Sequence, residues 1–121
     1  MDKYTKEELS KALEVVTSTI NKCEKIHPKF KEGTSQHTLL KNRIKAMYIS
    51  KTLIKGENIS DKYTKEELKD AIRPVTSVIN KCEKAQLKFE EGTSFYNRFK
   101  KIIDAMYISK SLITNEINKR D

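Results

Sequence analysis

The sequence predicts an all-α fold: a four-helix bundle made of two tandem, sequence-similar helical hairpins related by a pseudo-twofold axis. Three observations carry this. Shifting the chain by 59 residues aligns positions 2–62 with 61–121 without a gap, and 35 of those 61 pairs are identical. Within each copy the apolar residues recur every three to four positions, the period of a helix that buries one face. The frame K-F-x-E-G-T-S occurs in both copies, from Lys29 and from Lys88, and it holds the glycine and hydroxyl residues that end one helix and start another. Two copies are too few for a solenoid. A lone hairpin cannot cover its own apolar face, so the two are expected to close on each other. The 121 residues then make one domain, with repeat 1 over about 2–58, a linker over about 55–61 and repeat 2 over about 61–117.

The first helix of each hairpin opens on a capping box, Thr5 with Glu8 and Thr64 with Glu67, preceded by Tyr4 and Tyr63 as staples onto Leu9 and Leu68. Leu9, Leu13, Val16, Ile20, Cys23, His27 and Phe30 share one face, and Leu68, Ile72, Val75, Ile79, Cys82, Gln86 and Phe89 repeat it. The phase predicts helices over about Thr5–Glu32 and Thr64–Glu91. Pro28 should bend or shorten the first. Pro74, which replaces Val15 of the first copy, should kink the second rather than reverse the chain; a helix split at Pro74 is the other reading. Gly33 and Gly92 are expected as C′ residues at positive φ, with Thr34-Ser35 and Thr93-Ser94 as caps of second helices over about Ser35–Lys55 and Ser94–Thr114. Gly56 stops the first of these, and "KGENISD" links the hairpins. Ser50 and Ser109, inside "AMYISK", are expected to let helices cross closely and to bond back to their own i−4 carbonyls.

Composition narrows the function classes. The chain is 35% charged and 36% apolar, and no apolar run approaches the length of a membrane span. The start, "MDKYTKEELS", has no apolar signal core, so a cytoplasmic protein is expected. Cys23 and Cys82 read as free, buried thiols, joined in a disulfide only if the two positions meet. His27 and His37 stand ten residues and a turn apart, not at ligand spacing. There is no Walker loop, G-x-S-x-G or E-x-x-H pair. Glu7-Glu8 and Glu66-Glu67 are explained by capping. Neither an enzyme, a metal, a cofactor nor a small-molecule substrate is expected.

The net charge of +8 is concentrated on the second helices. Lys41, Lys45, Lys51 and Lys55 fall within about 120° of one another, with Tyr48 among them. Lys100, Tyr107 and Lys110 match three of them in the second copy, where Asp104 and Thr114 replace Lys45 and Lys55. These eight residues are the candidate polyanion site. A further stripe, Lys22, Lys25 and Lys29, returns as Lys81, Lys84 and Lys88. Lysines on a solvated helix face need no ligand. The expected function is therefore a non-enzymatic interaction or scaffold module, with an unknown protein partner or a second copy meeting the exposed parts of Tyr48, Ile49, Phe95, Tyr96 and Tyr107. The alternative is a sequence-independent binder of nucleic acid or another polyanion. The ungapped register also fits an engineered fused dimer without biological activity.

Overall fold

Thr5 opens the first helix as the sequence predicts. Its backbone N–H donates to Glu8 Oε1 at 2.8 Å, and its hydroxyl accepts from the Glu8 N–H at 3.0 Å, so two amides of the first turn are satisfied reciprocally. Thr64 and Glu67 repeat the arrangement at 2.8 and 3.1 Å. The computed structural model describes residues 4–120. It contains four helices: α1 (Lys6–Ile26), α2 (Ser35–Ile54), α3 (Lys65–Gln86) and α4 (Ser94–Lys119), with a 3₁₀ turn, His27–Lys29, after α1. No described residue is in a strand, and no helix among the described residues is long and apolar enough to cross a membrane.

Three helix ends differ from expectation. α1 and α3 stop at Ile26 and Gln86, not at Glu32 and Glu91. Pro28 sits in the 3₁₀ turn that follows α1. α3 nevertheless ends within one residue of the matching place with Leu87 there, so the proline is not what sets the stop. Gly33 and Gly92 do take positive φ, 92° and 91°. They lie one residue before the caps Thr34 and Thr93, in the turn that enters the second helix rather than at a helix C′ position. α4 runs on to Lys119, five residues past Thr114, because Gly56 of the first copy is replaced by Asn115. Gly56 itself, at φ 77°, ends α2 in a Schellman motif: its N–H donates to the Leu53 carbonyl at 3.0 Å and the Glu57 N–H to Thr52 at 3.1 Å. Pro74 lies inside a helix that continues through it, so α3 is not split; the Asp70 carbonyl loses its in-helix donor there.

The helices alternate in direction and form a ring α1–α2–α3–α4. α2 and α4 also meet across the short diagonal, whereas no Cα of α1 lies within 8 Å of any Cα of α3. One cluster of buried residues joins all four: Ala12, Val16 and Ile20, Met47 and Ile49, Leu68, Val75 and Ile79, and Met106, Ile108 and Ile113, among others. Ser50 and Ser109 are fully buried, and their hydroxyls donate to Ala46 and Ala105 at 2.8 and 2.9 Å. The expected back-bonding is what satisfies these two buried polar groups.

The linker does more than span. Ile59 is 1% exposed and belongs to the core. Its carbonyl accepts from Arg120 Nη2 at 3.0 Å, and Arg120 Nη1 donates to the Tyr63 carbonyl. Arg120, braced by Glu116 at 3.4 Å, thus closes the end of the bundle where the linker meets the last turn of α4. The two cysteines are free. They sit on α1 and α3, beyond the 4.4–6.8 Å Cα separation a disulfide spans, so the sequence's conditional disulfide is ruled out by geometry.

Candidate interaction surface at the helix-joint end

Because the helices alternate, both helix joints fall at one end of the bundle, opposite the linker. Each joint is locally well built. The Thr34 hydroxyl accepts from His37 N–H at 3.3 Å and donates to the Lys31 carbonyl at 2.7 Å. Thr93 does the same with Tyr96 and Glu90 at 3.3 and 2.8 Å. Positions that match in the two copies then close each joint with different chemistry. In the first, the rings of His27 and His37 stack with centroids 4.1 Å apart. In the second, Gln86 Nε2 donates to the Tyr96 carbonyl at 3.2 Å. The sequence reading kept the two histidines apart; the tight joint brings them together.

What the joint end lacks is a core. No residue from Glu24 to Lys45, and none from Asn80 to Ile102, is buried. Every fully covered side chain lies nearer the linker. Large apolar groups are instead left in solvent: Leu87 at 86%, Leu39 at 63%, Phe95 at 53%, with Ile26, Phe30 and Phe89 also exposed. Phe89 stacks on Phe95 at 5.0 Å and on Phe99 at 6.0 Å, so three aromatic rings form one surface ridge. Each copy supplies three of the six exposed groups, and only Phe30 and Phe89 are at matching positions. Two more polar atoms, His27 Nε2 and Arg43 Nε, are shielded from solvent without a hydrogen-bond partner. The same end of the bundle carries the exposed cations Lys25, Lys29, Lys31, Lys84, Lys88 and Arg98.

The eight residues singled out from the sequence do not share a face. α2 and α4 meet across the diagonal, so their outer surfaces point to opposite sides. Lys45 reaches α3 and pairs with Glu67. Tyr48 turns towards α1, its hydroxyl donating to Glu24 at 2.9 Å. Lys55 lies 3.3 Å from Glu57 and Lys100 3.4 Å from Asp104. Tyr107 donates to Glu83 on α3 at 3.3 Å. Lys41 is exposed, whereas Lys51 and Lys110 are half-buried. Of the residues expected at an apolar contact surface, Tyr48, Phe95 and Tyr107 are exposed and Tyr96 is half-covered, but Ile49 is completely buried. It faces the core between α2 and its neighbours, next to Ser50.

The local electrostatics follow from these pairs. The carboxylates beside Tyr48 and Tyr107 hold both phenols above their usual value: at Tyr48 chiefly by accepting the hydroxyl's hydrogen bond, at Tyr107 chiefly by charge. Lys45 and the Thr64 backbone N–H draw Glu67 down, and Lys55 does the same for Glu57. Burial pushes both thiols up, partly offset by the Arg43 guanidinium, whose charge acts on Cys23 and Cys82 alike.

Sequence reading missed Leu87, Leu39 and Ile26 as surface groups. Leu87 was legible, since it stands about 100° off the stripe that ends at Gln86. Leu39 was not, because it is in phase with the core. Compared with protein-family models, curated proteins and solved structures, the chain matches none of them.

Proposed function

We propose that this chain is a non-enzymatic interaction module that presents the joint end of its bundle to the apolar surface of a protein partner. The observation that carries the reading is the uncovered end itself: a stretch of all four helices without a buried residue, capped by six exposed large apolar side chains. Covering a side chain as open as Leu87 contributes about 1.5–3 kcal/mol, and exposed apolar groups gathered at one end of a bundle are a surface that a partner can cover. The remaining core does not need these residues, which leaves them available. The reading includes an origin by duplication of one hairpin with a pseudo-twofold relation between the copies. Divergence of the exposed positions then turns one repeated end into two unlike halves of a contact surface.

The test replaces Leu87 and Phe95 by Glu together. Circular dichroism and thermal unfolding should match the parent, since neither side chain is in the core. Chemical crosslinking in extract of the source cells, followed by mass spectrometry, should recover proteins with the parent chain that the double variant loses. Sedimentation of the purified chain over a hundredfold concentration range separates a foreign partner from a second copy. A parent and a double variant that recover the same proteins and sediment alike as monomers would sink the proposal.

A further inference from the structure

α3 carries a second surface, chemically unlike the joint end. Along its outer face runs a shallow trough of about 550 Å³ lined by Lys69, Ile72, Arg73, Thr76, Ser77, Asn80, Lys81 and Lys84. Every charged group in that lining is a cation. Three lysines on the other helices are paired with carboxylates, as Lys11–Glu7, Lys45–Glu67 and Lys100–Asp104. Lys69, Arg73, Lys81 and Lys84 form no ion pair with any described residue. Between them stand the side-chain donors Thr76, Ser77 and Asn80. The trough opens beside a groove of about 630 Å³ shared with α2, which adds Arg43 and Lys45, with Glu67 and Asp70 also in its wall.

The matching face of α1 shows what is particular here. Lys22 and Lys25 correspond to Lys81 and Lys84, but Ser10 and Glu14 stand where α3 has Lys69 and Arg73. Of these two helices, α3 alone extends the basic row over four turns, about 22 Å from Lys69 to Lys84. A cationic row of that length, with hydroxyl and amide donors between the charges, complements a regular line of phosphates. We infer that the outer face of α3 binds the sugar–phosphate backbone of double-stranded nucleic acid, without reading its sequence. The duplex fits better than a single strand because the trough has no aromatic side chain on which a base could stack. It fits better than a lipid surface because Ile72 is the only large apolar group in the lining and is half-covered. This inference stands independently of the protein partner proposed for the joint end.

With four phosphates neutralised, log K should fall against log salt with a slope of about −3.6, a loss of about 150-fold between 50 and 200 mM. Fluorescence anisotropy with a labelled duplex of mixed sequence measures this on the full chain. Lys69→Ser with Arg73→Glu gives α3 the residues α1 carries naturally. It should weaken binding at least tenfold and shallow the slope by about 1.8, the share of two phosphate contacts, with an unchanged circular dichroism spectrum. Lys81→Gln with Lys84→Gln provides a second, milder loss on the same face. Lys22→Glu with Lys25→Glu, a larger charge change on the opposite corner, should shift affinity less than threefold. No duplex binding at 50 mM salt, or equal losses from the α1 and α3 variants, overturns the inference. So does equal affinity for polyglutamate, which assigns the face to an acidic protein. Tighter binding of the single strand overturns the duplex assignment.

Discussion

Replacing Ile59 by Ala tests whether the linker is part of the core. The change removes three carbons from a side chain 1% exposed. At about 0.8 kcal/mol per methylene the transfer loss alone is about 2.4 kcal/mol. A cavity adds to this where the surroundings cannot collapse, and here the backbone is pinned. The Ile59 carbonyl accepts from the Lys62 and Tyr63 N–H groups at 3.0 and 3.3 Å as well as from Arg120. A total near 3 kcal/mol follows, inside the range of roughly 2–5 kcal/mol for such truncations. Urea unfolding followed by far-UV circular dichroism should show a lower midpoint with an unchanged slope, and the melting temperature should drop by roughly 10 °C. Ile59→Val should cost about 1 kcal/mol, and Asp61→Ala, on an exposed neighbour, no more than about 0.5 kcal/mol. A loss for Ile59→Ala as small as that of Asp61→Ala would show instead that the linker is solvated and lies outside the core.

Arg120→Ala should cost about 2 kcal/mol, because it removes charge-assisted bonds to the Ile59 and Tyr63 carbonyls; Arg120→Lys should restore little, since one ammonium cannot reproduce the planar fork. In a double-mutant cycle with Ile59→Ala the two losses should not add. Iodoacetamide should label half-buried Cys82 before buried Cys23, both more slowly than a free thiol because burial raises their pKa, and oxidation with diamide should leave no intramolecular disulfide by non-reducing mass spectrometry. The folded phenols of Tyr48 and Tyr107 lie above the ordinary value of 10.0, so the folded state holds these protons more tightly than the unfolded one. Their contribution is complete below pH 10 and is lost as pH rises through the folded value. Glu24→Gln with Glu83→Gln should bring both phenols down in an absorbance titration and flatten the alkaline limb of the stability profile.

Much of the fold was legible because its signals are local. Thr5, Thr64, Thr34 and Thr93 cap helices by bonds to residues three positions away, and three glycines adopt positive φ where a turn demands it. The serine back-bonds span four residues. The candidate site was less legible. Lys45 and Tyr48 sit only three residues apart on α2, yet one pairs with α3 and the other with α1. Which neighbour a group meets depends on the ring order of the helices.

Four helices, their caps, the apolar azimuth of each and the pairing of helices into two hairpins follow from residue order alone, because each of these is set within a few residues along the chain. How far the core extends along the bundle depends on packing between helices. Leu39 lies within about 20° of Ser50 on α2, yet it is 63% exposed while Ser50 is fully buried. Periodicity fixes the side of a helix on which a residue falls, but not whether another helix covers it at that height. The same reason hid Ile59, which a linker's polarity would leave in water, yet it is 1% exposed and part of the common core.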